Sequence, residues 1–406
     1  MILGATAAMV GSFSFLRKRA LIGDAIAHAV LPGVCLSYLM FQSKNPLLML
    51  LGAVATGWLA LLSIDVIVRK TKLKTDAAIG LVLSVFFGLG VLLLTTIQHS
   101  GNASQTGLDK FLFGKAASMV SDDLLVFGGL AIATIAILVV FFKEFVLISF
   151  DVNFAKAIGV PVRNMEIVLS TLTVVAVAIG IQAVGVVLMA ALLITPAAAA
   201  RYWTDSVKTM LYLAAIFGAL SGLAGSFISF AAPSMPTGPW IVVVISVFAI
   251  GSLLFAPRRG IVFRMVKRRR MNANMRNDNI LKLFYHMGER EKDYYASRSL
   301  SELTIKRHFH KKELIKGLRS LLKTEDVLRI NDKWQITEKG KRQGMRIVRL
   351  HRLWELYLTR YMHIASDHVH DDAETIEHII TPELEKKLEQ LLEYPISDPH
   401  NTEIPY

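Results

Sequence analysis

The 406-residue sequence contains a single cysteine, Cys35, which lies inside an apolar stretch. One thiol cannot form an intrachain disulfide or a zinc site made of several thiolates, so both are excluded for this chain alone. The sequence also lacks the Gly-x-x-x-x-Gly-Lys-Ser/Thr phosphate loop. The chain therefore does not bind ATP in that manner, and nothing in it indicates covalent chemistry. We expect the chain itself not to be an enzyme.

Charged residues are scarce in the first part of the chain. Residues 1–256 carry 15 Lys/Arg and 10 Asp/Glu, whereas residues 257–406 carry 30 and 22. Apolar runs near the length that crosses about 30 Å of hydrocarbon recur in the first part, which predicts an all-α polytopic membrane domain of eight or nine transmembrane helices. The first and seventh runs are short. The runs lie at about residues 1–15, 24–41, 47–68, 77–97, 124–142, 165–183, 184–199, 209–232 and 240–255.

The basic residues between these runs predict the orientation. If successive spans cross the membrane in opposite directions, 12 Lys/Arg lie on one side of the membrane, and Lys44, Lys110 and Lys115 lie on the other. Basic loops face the cytoplasm in membrane proteins. We therefore expect a multi-pass membrane protein whose tail, after Phe255, emerges into the cytoplasm.

Two ionisable residues, Asp24 and His28, stand near the start of the second run. Their i and i+4 spacing puts both on one face of a helix. Ionisable groups in lipid mark a transport route by default, and a carboxylate with an imidazole suits a first-row divalent cation. The alternative is an Asp that caps the helix and a His that hydrogen-bonds a neighbour.

Two further segments have alternative interpretations. Residues 150–161 are too polar to span the membrane and predict a short surface helix, capped by Asp151 and ended by Gly159 and Pro161. An ordinary amphipathic connector has the same pattern. Small residues between Val184 and Arg201 let helices approach closely, which packing explains as well as function does.

Together these stretches resemble the metal-ion permease family of ATP-binding-cassette importers, which moves manganese, zinc or iron. The resemblance covers nearly all of residues 11–255. It is carried, in order, by GDAIAHAVLPG (23–33), KTDAAIGLVLS (74–84), KFLFGKA (110–116), FDVNFAKAIGVPV (150–162) and VGVVLMAALLITPAAAAR (184–201).

This resemblance implies roles for the singled-out residues. Asp24 and His28 would lie on the metal path, and the segment 151–161 would be the coupling helix that docks on an ATPase subunit, through Asp151, Ala155 and Gly159. It also implies three partners, namely a separate ATPase, an extracytoplasmic metal-binding protein and a second permease subunit.

The tail begins with a basic segment. Seven Lys/Arg between Arg258 and Arg270 follow the last apolar run, which indicates anchoring at anionic lipid. Beyond them, residues 272–278 are polar and predict a hinge. We therefore divide the chain into a membrane domain (1–256), a basic juxtamembrane linker (257–277), a winged helix-turn-helix domain (278–345) and a helical metal-binding and dimerisation domain (346–406).

The first part of this soluble α+β tail is basic. Residues 257–360 hold 28 Lys/Arg against 11 Asp/Glu, whereas residues 361–406 hold 2 against 11. A helix opening at Leu300 and another from Lys311 to Lys323 form a helix-turn-helix pattern, and residues 327–337 predict a hairpin wing. The charge favours nucleic acid, although a winged helix equally serves protein contact. The candidate DNA-binding residues are Lys312, Lys316, Arg319 and Lys323.

Histidines and carboxylates recur at helical spacing near the end of the chain. His351 and Glu355 are one turn apart, and four more donors, His370, Glu374, Glu377 and His378, share one side of a second predicted helix. Two such helices supply oxygen and nitrogen ligands suited to Mn²⁺ or Fe²⁺ more than a sulfur site, with Zn²⁺ as a further candidate. The alternative is a solvated acidic helix with incidental histidines.

Residues 277–406 resemble the metal-dependent repressors related to the diphtheria toxin repressor. The matching stretches are ITEKGKRQG (336–344), HRLWELYL (351–358), VHDDAETIEH (369–378) and SDPHNTEIP (397–405). The resemblance implies one metal site at His351, Glu355 and His370, and another at Glu374, Glu377 and His378. Asp278 matches a further ligand on the first helix, whereas Leu281 stands where manganese-type members carry Glu.

These features predict the permease subunit of an ATP-driven importer of Mn²⁺, Fe²⁺ or Zn²⁺ with a fused metal sensor. Two hypotheses describe the tail. It is a transcription repressor for operator DNA, freed by proteolysis in the hinge, or it stays attached and closes the transporter when metal is plentiful. A secondary exporter without an ATPase is a further alternative, which the coupling-helix match disfavours.

Overall fold

The computed structural model describes residues 1–43, 45–99, 121–231, 236–306, 309–364 and 380–406. Within these ranges the chain divides into two compact units, Met1–Arg264 and Met265–Tyr406. Each unit has its own core of buried apolar side chains.

The described part of the first unit is helical. Seven of its helices are long and apolar enough to cross a membrane, and α1 and α9 are shorter apolar helices. The predicted all-α polytopic fold is thereby confirmed, and the short helices are the first and seventh predicted runs. The helices are α1 (Ile2–Leu16), α2 (Ala20–Phe41), α3 (Pro46–Lys70), α4 (Thr75–His99), α5 (Ser121–Val140), α6 (Phe142–Phe150), α7 (Val152–Ala157), α8 (Val162–Val184), α9 (Val186–Arg201), α10 (Val207–Ala231) and α11 (Thr237–Phe255).

Small residues set the closest helix contacts of the first unit. A Cβ atom on Gly33 of α2 would lie 2.1 Å from the carbonyl oxygen of Gly52 on α3. Only glycine permits backbones to approach this closely. The core cluster lies around α2 and α8, where Ile26 and Val174 are fully buried. The face of α2 that carries Ile26 is therefore fixed against its neighbours.

In its described residues, the second unit combines helices with one hairpin. Leu281, Phe284, Leu318 and Trp334 belong to its core. The fold class predicted for the tail is confirmed. Its elements are α12 (Ile261–Glu291, which begins in the first unit), α13 (Leu300–Lys306), α14 (Lys311–Lys323), β1 (Val327–Ile330), β2 (Lys333–Ile336), α15 (Glu338–Tyr361) and α16 (Pro382–Leu391).

Local sequence signals explain the helix-turn-helix and its wing. Ser299 and Glu302 form a capping box at α13: the Ser299 N–H donates to Glu302 Oε2 at 3.1 Å and the Glu302 N–H donates to Ser299 Oγ at 3.3 Å. The strands β1 and β2 pair antiparallel, with Val327 opposite Ile336. Asn331 and Asp332 both have positive φ, as a two-residue hairpin turn requires.

The predicted hinge is wrong. Residues 272–278 lie inside α12, and only residues 256–260 separate α11 from α12. Residues 261–287 contain no proline or glycine to end the helix. Two contacts to α14 also stabilise this stretch: Arg276 pairs with Glu313 at 3.0 Å, and Asn277 Nδ2 donates to Ser320 Oγ at 3.0 Å.

Candidate metal and coupling sites

Asp24 and His28 on α2 form the candidate transport site. Asp24 Oδ1 lies 3.5 Å from His28 Nε2, and the two side chains are 31 % and 16 % exposed. Because α2 begins at Ala20 and makes no side-chain cap hydrogen bond, Asp24 stands in its second turn. The alternative interpretation of Asp24 as a helix cap is therefore wrong, and both groups share one face as the spacing predicts.

One ring nitrogen of His28 remains available to bind a metal ion. Its ring meets Phe87 of α4 edge-on with 4.7 Å between centroids, and its buried Nδ1 has no hydrogen-bond partner in the described part of the chain. Pro32 lies one turn further inside α2. Since proline has no N–H, the carbonyl of His28 loses its usual i+4 donor. This turn thus offers carboxylate, imidazole and carbonyl donors to a dication.

These donors are fewer than a complete coordination shell. Within the described ranges, no three His, Cys, Asp or Glu side chains come together as a group that could hold a metal ion. First-row dications take typically about four to six ligands. A dication bound here would therefore need ligands beyond the two side chains and one carbonyl that this turn offers.

The predicted surface helix folds as α7. Asp151 caps it, because a side-chain oxygen accepts the N–H of Phe154 at 2.9 Å. Gly159 follows with a φ of 84°, a conformation that favours glycine, and Pro161 immediately precedes α8. The cap and the glycine thus fix both ends of this short helix.

Of the three residues that the motif singled out, Asp151 and Gly159 are exposed and only Ala155 is buried. Ala155 is fully buried in a cluster with Phe145 and Val162, so it anchors α7 rather than presenting a contact. Phe154 and Ile158 are 53 % and 56 % exposed. Sequence reasoning missed this pair, although an i and i+4 apolar spacing in a polar segment signals a face without a partner in the chain.

In the second unit, His351 and Glu355 lie together on α15. His351 Nε2 and Glu355 Oε1 are 3.1 Å apart, and both side chains are almost fully buried. Asp278 stands half-buried on α12, whereas Leu281, one turn later, packs in the core. The remaining predicted ligands, His370, Glu374, Glu377 and His378, lie outside the described residues.

A buried arginine beside His351 joins three segments of the second unit. Arg352 donates to both carboxylate oxygens of Glu289 on α12, at 3.0 and 2.8 Å, and to the carbonyl of Glu403. Asp398 lies 3.8 Å from the same guanidinium and accepts the N–H groups of His400 and Thr402 at 2.8 Å. Sequence reasoning missed this network, whose signal is the Arg that follows His in HRLWELYL.

The four candidate DNA-binding residues lie on the solvent side of α14. Lys312, Lys316, Arg319 and Lys323 are all exposed, while Leu314, Gly317, Leu318 and Leu321 are buried. A positive surface of this kind attracts phosphate groups of nucleic acid.

His286 on α12 makes the stability of the second unit depend on pH. Burial, together with the charges of Lys282 and Arg352, lowers the pKa of His286 to about 4. Between pH 6.5 and 4 the unfolded chain binds a proton that the folded chain does not, so stability falls as the pH falls. Because the side chain is 39 % exposed, screening limits the loss between pH 7 and 5 to roughly 1 kcal/mol.

Denaturant unfolding of residues 265–406 at pH 7 and pH 5 checks this expectation. His286→Gln should remove that part of the pH dependence, whereas His310→Gln should retain it, because the His310 side chain makes no cap hydrogen bond. Burial would raise the pKa of Glu289, but the hydrogen bonds and charge of Arg352 outweigh it and lower the pKa. The contribution of Glu289 to the stability of the folded state is therefore lost only at a more acidic pH than the contribution of His286. An unchanged pH slope in His286→Gln would contradict the assignment.

Comparison with known proteins places both units. Residues 1–256 match the ABC 3 transport family, and residues 337–406 match the iron dependent repressor, metal binding and dimerisation domain. The manganese transport system membrane protein MntC of Bacillus subtilis is 42 % identical over 367 residues, which is 90 % of this chain and 84 % of that protein. A similarity over 367 residues is longer than the 256 residues of the transport-family match, so the similarity to MntC continues into the second unit.

Two further proteins each match about two thirds of this chain. The zinc transport system membrane protein TroC of Treponema pallidum is 42 % identical over 272 residues, covering 67 % of this chain and 91 % of that protein. The structure of PsaBC from Streptococcus pneumoniae in complex with Fab matches with a TM-score of 0.58 and 34 % identity, over 66 % of this chain and 91 % of that chain. The chain therefore belongs to the ABC 3 transport family and ends in a metal-binding and dimerisation domain of the iron-dependent repressor type.

Proposed function

We propose that this chain, a membrane permease of the metal ABC importer type, carries Mn²⁺ as its cargo, with Fe²⁺ and Zn²⁺ as competing dications. The observation that carries the proposal is the Asp24–His28 pair, 3.5 Å apart within an apolar helix. Such groups are costly in lipid unless they serve a pathway. The names of MntC and TroC, which specify manganese and zinc, support this class of cargo.

The metal content of a strain that lacks the permease tests the cargo. We expect cellular manganese to fall and to recover when the gene is restored, because oxygen and nitrogen donors suit Mn²⁺. Iron and zinc should change less. A strain that loses zinc while it retains manganese would overturn the assignment to Mn²⁺.

A second permease chain completes the pathway in this proposal. Asp24 and His28 supply two side-chain donors, and the described residues hold no group of three. A copy or homologue of the chain, facing the same route, would contribute the remaining ligands. An extracytoplasmic metal-binding protein delivers the ion, and ATP is hydrolysed by a separate subunit that docks on α7, where Phe154 and Ile158 are exposed.

The second unit is a cytoplasmic metal sensor in this proposal. The positive-inside distribution of 12 Lys/Arg supports its location. We assign residues 278–345 to the winged helix and 346–406 to metal binding and dimerisation. His351 and Glu355 would form part of one site, and the buried pair on α15 supports this. The exposed basic side of α14 supports DNA binding as the output.

DNA binding by the full-length protein tests this output. With Mn²⁺ present, we expect it to retard a DNA fragment from upstream of its own gene. Lys316→Gln with Arg319→Gln should weaken binding at least about tenfold, because each removes a phosphate contact. Lys386→Gln with Lys387→Gln removes two charges elsewhere and serves as the control. Metal-loaded protein that never binds DNA would discard the repressor hypothesis.

A tethered gate is the second candidate, and the helix α12 favours it. The expected cleavage site lies in a continuous helix rather than a loop, and proteases prefer loops. Immunoblotting of native cells separates the two hypotheses. A free fragment of about 16 kDa, the share of the 44.9 kDa chain that residues 265–406 represent, supports a released repressor. Only full-length protein, with uptake that slows at high cytoplasmic Mn²⁺, supports the gate.

A further inference from the structure

A cavity of about 340 Å³ opens in the first unit between the end of α1, the start of α2, α3 and α8. Asp24 and His28 do not line it. Its rim belongs to loops and helix ends that the positive-inside distribution places at the cytoplasmic side. The cavity is therefore distinct from the proposed transport site, and the orientation expected from the basic loops directs its rim towards the cytoplasm.

Charged side chains gather at the rim of this cavity. They comprise four arginines, Arg17, Arg19, Arg69 and Arg163, and two carboxylates, Asp65 and Glu166.

Two arginines of the rim are already paired. Arg17 forms an ion pair with Glu166, and Arg69 Nη2 lies 2.8 Å from Asp65 Oδ2. No ion pair involves Arg19 or Arg163 in the described part of the chain. The rim thus keeps a surplus of two positive charges, which repels a divalent cargo and attracts an anion.

Below this rim the walls are apolar. Ile22 and Ile26 of α2 and Trp58 of α3 line the cavity, and Trp58 lies about 16 Å along the helix axis from Arg69, at 1.5 Å per residue. Thr173, the most buried polar group of the lining, satisfies its hydroxyl by donating to the Leu169 carbonyl at 2.8 Å. A ligand that fits has an anionic head and an apolar chain.

We propose that this cavity binds an anionic phospholipid of the inner leaflet. The phosphate lies between Arg19 and Arg163, and an acyl chain runs along the partly exposed Ile22 and Trp58 towards the membrane centre. Arg17 and Arg69 remain paired with their carboxylates. Lysine and arginine near an anionic leaflet each strengthen lipid binding. A free phosphate would match the arginines but not the apolar walls.

Native mass spectrometry of the full-length protein in detergent tests this proposal. The probes are phosphatidylglycerol, phosphatidylcholine and inorganic phosphate, each added alone. We expect retained phosphatidylglycerol and little phosphatidylcholine. Arg19→Gln with Arg163→Gln should weaken phosphatidylglycerol binding roughly 30-fold, the loss expected from two basic contacts. Arg19→Lys with Arg163→Lys, which keeps the charge, should retain most of it.

The control removes the same charge outside the cavity. Lys70→Gln with Lys72→Gln lies on the same side of the protein and does not line the cavity. Binding that falls equally in the control and in the arginine variant would overturn the proposal. So would equal retention of phosphatidylcholine. An arginine-dependent signal with inorganic phosphate and none with phosphatidylglycerol would also overturn it, in favour of a free phosphate.

Discussion

Metal uptake should fall at least about 100-fold when Asp24→Asn and His28→Gln are combined, because both side-chain donors of α2 leave the pathway. The substitutions keep the size of each side chain, so the packing of α2 should persist. Asp24 and His28 face each other at 3.5 Å, and the free Nδ1 of His28 is the donor that no neighbour occupies. Radioactive Mn²⁺ uptake into cells that lack the native gene measures the effect.

Asp205→Asn with His99→Gln is the matched control for this variant. Asp205 pairs with Arg201 at 3.6 Å, and His99 Nδ1 lies 2.8 Å from the Thr95 carbonyl oxygen. Both already have partners outside the proposed pathway, so uptake should change less than about threefold. Gel filtration must show that each variant is folded and assembled. Full uptake by the Asp24/His28 variant would refute the pathway.

The second large effect should be the loss of coupling between the permease and its ATPase subunit when the exposed apolar residues of α7 are replaced. Phe154→Ser with Ile158→Ser should reduce ATP-driven uptake roughly 100-fold or more, because exposed apolar residues at a contact centre often contribute about 2 kcal/mol each. The side chains are 53 % and 56 % exposed, so their loss leaves the core of the first unit intact. Metal binding to the purified permease should not change.

Copurification with the cognate ATPase and its ATP hydrolysis measure this loss. Leu73→Ser, which removes a 45 % exposed apolar side chain from another loop on the same side, is the control and should keep both activities. Ala155 is a poor position for such a test. Since it is fully buried, a large side chain there would disrupt the packing of α7 as well as any contact. An uncoupled Leu73→Ser variant with an active Phe154/Ile158 variant would contradict the assignment.

Short-range signals made much of this fold predictable. The apolar runs indicated the spanning helices, and Asp151 and Gly159 indicated both ends of α7. The apolar spacing of Phe154 and Ile158 was a local signal of the exposed side of α7, but the burial of Ala155 depends on the cluster around Phe145. They also misplaced a hinge in α12, since polar residues serve exposed helices as well as loops. The helical conformation there is stabilised by the contacts of Arg276 with Glu313 and of Asn277 with Ser320, residues that are about 40 positions apart in the sequence.

The residues in and around the candidate metal site of the second unit were predictable to different degrees. The i and i+4 spacing of His351 and Glu355 sufficed to place them together, 3.1 Å apart. Arg352 itself is visible in the sequence beside His351, but its partners Glu289 and Asp398 are so distant that no single window of sequence contains all three residues. Leu281, in contrast, was predictable from one residue, because its apolar character alone indicates the core position that it occupies.

Pro32 lowers the resistance to bending of the turn of α2 that carries the proposed ligands. In an unbroken helix, a change of axis direction stretches main-chain hydrogen bonds, and this cost resists bending. Pro32 has already removed the bond that would join residue 32 to the carbonyl of His28. The half of α2 beyond the donors can therefore tilt without breaking that bond again. A gate that swings at this turn would reorganise its ligands in the same movement that admits or releases the ion.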